Sequence, residues 1–108
     1  MGYKKAYQIF IESGRLQADD CLKYGLVNKV VESSKLDEAT QAWAQSLAAG
    51  APLAQMYGKQ IMRAVPTSSV EEIINLESSF QVNCSISEDF KSATTAFFNK
   101  QKPTFIGK

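Results

Sequence analysis

The sequence has 108 residues, 44% of them hydrophobic, with twelve basic against eleven acidic side chains and a formal net charge of +1. That size suits one soluble domain, and a balance so near neutral supplies no broad field for nucleic acid or an anionic membrane surface. The complete absence of histidine removes Ser-His-Asp and Cys-His chemistry, the usual zinc sites and an imidazole general base in one step.

Apolar runs such as Ala48 to Leu53 are far too short to span a membrane, and the first residues lack the basic, apolar and small-residue pattern of a signal peptide. The expectation is a cytoplasmic or organelle-matrix protein with neither nucleic acid nor membrane as partner. A chain of this length buries only about two thirds of its unfolded surface. Its core should be thin and open to help from a partner surface.

In chain order, Tyr3 to Ser13 places Tyr3, Ala6, Tyr7 and Phe10 on one face of an amphipathic helix, which Gly14 stops. Ala18 to Tyr24 predicts a short helix with Asp19 and Asp20 at its positive end and Gly25 as its stop, where Leu26 can pack back on the turn. Val27, Val30 and Val31 are the only strand-like residues, at most a vestigial strand that could not make a sheet alone. Ser34 and Asp37 form a loose capping box ahead of a helix whose face is Leu36, Ala39, Thr40, Trp43, Ala44 and Leu47, until Gly50. Pro52 opens the next, lined by Leu53, Met56, Tyr57, Gln60, Ile61 and Ala64 and ended by Pro66; Gly58 weakens it or admits another backbone.

Ser69 with Glu72 makes a second capping box, opening a long helix in which Val70, Ile73, Ile74, Phe80 and Cys84 face inward. Glu77 interrupts that stripe, either pairing with a lysine or marking its edge. Ser87, Glu88 and Asp89 start the last helix, with a predicted buried face of Phe90, Ala93, Thr94, Phe97 and Phe98, before Pro103 forbids continuation. A basic tail follows with Lys100, Lys102 and Lys108. The fold class is all-α, five or six short helices in one domain over residues 1–108, without repeats or a linker.

Chemistry is harder to find. Asp19 with Asp20, and Glu71 with Glu72, are adjacent on helices and point about 100° apart, and both pairs suit the helix dipole without forming an acid-base site. Cys21 and Cys84 make no CxxC unit; each falls where a helix puts a small core residue, so buried thiols are the plain reading and a disulfide or reactive site the alternative. No phosphate-cradling glycine loop occurs. Lys100 suits a helix C-terminus whether or not it binds a ligand, and Phe97, one turn earlier, reads as core. Arg15 and Lys59 have the same standing as Lys100. The residues alone yield no catalytic group and no metal site.

The order of these motifs nevertheless resembles a known family. The run Ala6-Tyr7-Gln8-Ile9-Phe10-Ile11-Glu12-Ser13-Gly14-Arg15, then Ala18-Asp19-Asp20-Cys21 and Tyr24-Gly25-Leu26-Val27-Asn28-Lys29-Val30-Val31, is similar to the crotonase segment A-x-x-(apolar)-x-x-x-G-R followed by A-x-x-A-x-x-x-G-L-V-N-x-V. Leu36, Ala44, Ala48, the Ala51-Pro52 junction and Lys59 follow in order. The closing Ser87-Glu88-Asp89-Phe90 and Ala96-Phe97-Phe98-Asn99-Lys100-Gln101-Lys102-Pro103-Thr104-Phe105-Ile106-Gly107-Lys108 resemble the ending A-F-x-x-K-R-x-P-x-F-x-G. The resemblance covers essentially the whole chain and points to the C-terminal helical region of the enoyl-CoA hydratase/isomerase family.

That resemblance implies a longer parent enzyme acting on acyl-CoA thioesters, with coenzyme A as part of the substrate and no separate cofactor. Its β-spiral core, oxyanion-hole amides and catalytic acids, including the Glu of a P-E-x-x-x-G segment, would precede Met1. The 108-residue chain is then expected to be inactive alone. It also implies that Lys100 touches the nucleotide end of CoA and that Phe97 lies near the adenine, across a homo-oligomer that is trimeric in the family. Ser92-Ala93 replaces the family's Glu-Gly, and Gln101 replaces an Arg, removing a fork donor for phosphate that Lys102 replaces only as a point charge. Two other readings stand beside this one. One is a free-standing helical interaction or oligomerisation module, the other a small acyl-CoA carrier.

Overall fold

The computed structural model describes residues 1–108, and every regular element in it is helical. The helices are α1 (Tyr3–Glu12), α2 (Ala18–Lys23), α3 (Leu36–Ala48), α4 (Pro52–Ala64), α5 (Val70–Ser85) and α6 (Glu88–Phe98), with a 3-10 turn at Ser33–Lys35. The chain divides into two compact units, Met1–Gln41 and Ala42–Lys108, at a point inside α3. Val27 to Val31 forms no strand; the segment is irregular, with a bend at Asn28.

Three helices end in the same way, with a left-handed residue that lets two amides close on the last turn. After α2 the left-handed residue is Gly25 (φ +69°), and the amides of Gly25 and Leu26 donate to Leu22 O (3.0 Å) and Cys21 O (2.8 Å). After α1 it is Ser13 (φ +49°), not the expected Gly14; Gly14 instead supplies the amide that reaches Ile9 O at 3.2 Å. After α6 it is Lys100 (φ +55°), with Gln101 N donating to Ala96 O at 2.8 Å. Lys100 therefore stands just beyond the helix rather than in its last turn.

The starts are uneven. Ser34 does not cap α3: it lies inside the 3-10 turn, where Lys35 N donates to Glu32 O at 2.9 Å, so its hydroxyl is out of the capping position. The Ser69 box forms in full, with Glu72 N donating to Ser69 Oγ (3.2 Å) and Ser69 N donating to Glu72 Oε2 (2.7 Å). The Ser69 amide first, and its hydroxyl second, hold the Glu72 carboxyl below its ordinary value. Ser87 caps α6 by accepting from Phe90 N at 3.0 Å. Pro52 takes the first position of α4, where its missing N–H costs nothing.

Within the first unit, Lys5 Nζ stands 5.1 Å from the Tyr24 ring centroid, joining α1 to the end of α2. Within the second, α4 packs on α5 through the stacked rings of Tyr57 and Phe80, 4.3 Å apart and 17° from parallel, and α5 packs on α6. No apolar residue anywhere in the chain is fully buried. Many faces predicted to turn inward are open: Tyr3, Tyr7 and Phe10 on α1, Leu36, Trp43 and Leu47 on α3, Met56 on α4, Val70 and Ile74 on α5, and Phe90, Thr94, Phe97 and Phe98 on α6. The helical period was right, but the chain holds no element that covers those stripes. Leu76, which that pattern omitted, is half-buried, and Glu77 is exposed at the edge of the stripe. Cys21 and Cys84 are free and half-buried rather than buried. Gly58 has nothing near the place a Cβ would take, so no backbone approaches it.

Candidate functional site

The site that the fold organises most firmly lies at the start of α6. Asp89 is the one buried residue of the chain, 4% exposed, although it is charged. Its carboxylate accepts the amides of Ile106 (Oδ1, 2.7 Å) and Gly107 (Oδ2, 2.9 Å), while its own amide donates to Lys108 O at 2.9 Å. Gly107 takes φ +79°, which turns two successive amides toward one carboxylate and suits a residue without a Cβ. A Cβ added at Gly107 would stand 3.8 Å from Pro52 Cβ at the start of α4. The clamp thus folds residues 101–108 back along α6 and presses Phe105 toward the helices. Sequence reasoning placed Asp89 only at the start of the last helix; a glycine immediately before Lys108 was the available signal, and it does not name a partner 18 positions away.

Two depressions flank this clamp. The first is apolar, 190 Å³, lined by Leu53, Ala54, Cys84, Phe90, Ala93 and Phe105 among others. The second is polar and open, 410 Å³, between α6 and the returning tail, with Lys91, Ser92, Thr95, Gln101 and Lys102 in its walls. Phe97 and Lys100 line neither. Phe97 is 78% exposed, its ring edge-on to Phe98 at 5.8 Å, and so is not core. Phe97 lies in the last turn of α6 and Lys100 just beyond its end, an aromatic plate and an ammonium with no acid between them.

No acid-base pair emerges. Asp19 and Asp20 occupy the first turn of α2, and Glu71 and Glu72 that of α5, where carboxylates complement the helix dipole. Asp89 already accepts two amides and is closed to water, which leaves it no substrate proton to take. No cluster of three or more Cys, Asp or Glu stands close enough to hold a metal ion.

The family model for enoyl-CoA hydratase/isomerase matches residues 1–108. The chain belongs to the enoyl-CoA hydratase/isomerase family. It is 33% identical over 102 residues to the short-chain-enoyl-CoA hydratase of Clostridium acetobutylicum, covering 94% of this chain and 39% of that protein. To the trans-2-decenoyl-[acyl-carrier-protein] isomerase of Streptococcus mutans it is 29% identical over 108 residues, 100% of this chain and 41% of that one. An enoyl-CoA hydratase of Mycobacterium tuberculosis superposes with a TM-score of 0.92 at 25% identity, over 100% of this chain and 43% of its own. The chain therefore spans about two fifths of the length of the curated relatives it matches. The superposition on the Mycobacterium tuberculosis enoyl-CoA hydratase extends over the whole of this all-α chain.

Proposed function

We infer that the chain is the C-terminal helical portion of an acyl-CoA hydratase or isomerase, covering an active site whose catalytic groups are contributed by other residues. Hydrating or shifting a double bond conjugated to a thioester needs amides aimed at the thioester oxygen as an enolate develops, and carboxylates that move a proton or activate water. Nothing in the 108 residues performs either task. The observation that carries the reading is the family match over every residue, combined with a chain in which the single buried carboxylate serves its own backbone.

The uncovered helix faces support the second half of the reading, a covering and assembling role. The accessible surface is 9070 Å². Permanent interfaces bury about 2,000–5,000 Å². Aromatic and aliphatic stripes such as Tyr3, Tyr7 and Phe10 are suited to that burial. In the assembled enzyme, Phe97 offers its face to the adenine of CoA and Lys100 its ammonium to a nucleotide phosphate, the contacts of a ring and a point charge. A free-standing interaction module is the second reading, favoured by the same open faces. The coding sequence upstream of Met1 separates the two.

The test of inactivity is direct. The purified 108-residue chain is expected to hydrate crotonyl-CoA no faster than buffer; turnover that persists after host hydratase has been excluded would overturn the assignment of catalysis to other residues.

A further inference from the structure

We propose that residues 101–108 form a strap, latched through Asp89 alone, whose local opening bares the apolar pocket and the Cys84 thiol in its wall while α4, α5 and α6 stay folded. The 190 Å³ pocket is built from the start of α4 (Leu53, Ala54), the end of α5 (Cys84) and the first half of α6 (Phe90, Ala93). Of the tail, only Phe105 lines it. Phe105 and Gly107 are half-buried, whereas residues 101–104 are exposed, so the strap is anchored near its far end. A Cβ at Gly107 would stand 3.8 Å from Pro52 Cβ, which brings that anchored end against α4 as well as α6.

The hydrogen-bond pattern makes the latch a single point. Lys100 turns the chain out of the helix at φ +55°, and Gln101 N closes the last helical bond on Ala96 O. No amide of residues 102–105 donates to the chain, Pro103 having none to give. The bonds that hold the rest all involve Asp89: its carboxylate accepts from Ile106 N and Gly107 N, and its amide donates to Lys108 O. With one residue as their common partner, these bonds break together. A segment with few hydrogen bonds and little buried apolar surface opens at lower free energy than the helices it lies on. The helices do not depend on it, since α4 and α5 are joined by the Tyr57–Phe80 stack, in which the tail takes no part. The strap closes over α4, α5 and the start of α6, so the proposal is independent of any contact that Phe97 and Lys100 make with CoA.

The rate at which iodoacetamide alkylates Cys84, followed by mass spectrometry in a Cys21→Ser background that leaves one thiol, tests it. Low urea should leave that rate nearly flat, because freeing the strap exposes little surface. Asp89→Asn should raise it about tenfold, as the loss of one charge-assisted contact from the latch requires. Phe105→Ala should also raise it, by removing the tail's part of the wall, while the Ile106 and Gly107 amides keep their slow exchange. A Cys84 rate unchanged in either variant would overturn the proposal, since the thiol would then be reached with the strap closed. An equal rise at Cys21, measured in a Cys84→Ser background carrying Asp89→Asn, would overturn it too, because the whole chain would then be loosening rather than the strap.

Discussion

Asp89 and Phe97 stand about two turns apart on one helix and have opposite fates: the carboxylate is 4% exposed and the phenyl ring 78%. Hydrophobicity alone would reverse that order. Asp89 is buried because the tail brings it the two amides it needs, so its charge leaves bulk water for charge-assisted hydrogen bonds. Phe97 is open because no segment of the chain lies across its face. The comparison teaches that this fold closes locally through polar contacts with its own backbone, and leaves its apolar stripes uncovered.

The largest expected effect comes from breaking the closed end. Asp89→Ala removes two charge-assisted hydrogen bonds and should cost about 3 kcal/mol in the unit that contains it, read as a lower denaturant midpoint. Amide exchange at Ile106 and Gly107 should rise first. Asp89→Asn, which offers one oxygen in place of two, should fall between the variant and the parent. An unchanged midpoint would mean that the tail is held by Phe105 rather than by the clamp.

A smaller effect, of opposite sign, is expected at the open end. Lys100 holds φ +55°, a conformation that is unfavourable for a residue with a Cβ. Lys100→Gly should therefore raise the stability by less than about 1 kcal/mol once the extra freedom of glycine in the unfolded chain is counted, read as a higher thermal midpoint. If the midpoint falls instead, the Lys100 side chain makes a stabilising contact that outweighs the backbone strain.

The smallest effect concerns pH. Glu72 has its carboxyl held below the ordinary value by the Ser69 amide and hydroxyl. A lowered folded value means stabilisation that is complete above the ordinary glutamate range and disappears as pH falls through the lowered value. Helical circular dichroism of the parent and of Ser69→Ala should therefore differ near neutrality and converge in acid. A difference that persists in acid would show the hydroxyl capping α5 without help from the carboxylate.

These tests also mark what the sequence revealed. Helix positions were legible, since the 3.6-residue period and the punctuation at Ser69, Ser87, Pro52 and Gly25 are local signals, and the structure keeps each of them. Ser34 misled because a 3-10 turn moved the start of α3 past it. The burial of Phe97 was misjudged for a different reason: an amphipathic stripe states that a partner is needed, not that the same chain supplies it. Asp89 escaped notice because its partners, Ile106 and Gly107, are backbone amides 17 and 18 residues away, and backbone donors leave no trace in residue identity. The polar cleft was illegible for the same reason, since it exists only when the tail is folded back.

Sedimentation equilibrium of the purified chain across a wide concentration range tests the central claim most directly. If the open stripes are interaction surfaces, further copies should cover them, so the weight-average mass should rise with concentration above 11.9 kDa. A Tyr3→Ser, Phe10→Ser variant should shift that rise to higher concentration. A mass fixed at the monomer value at every concentration would contradict the account, because the open faces would then be stable in water and in no need of a partner.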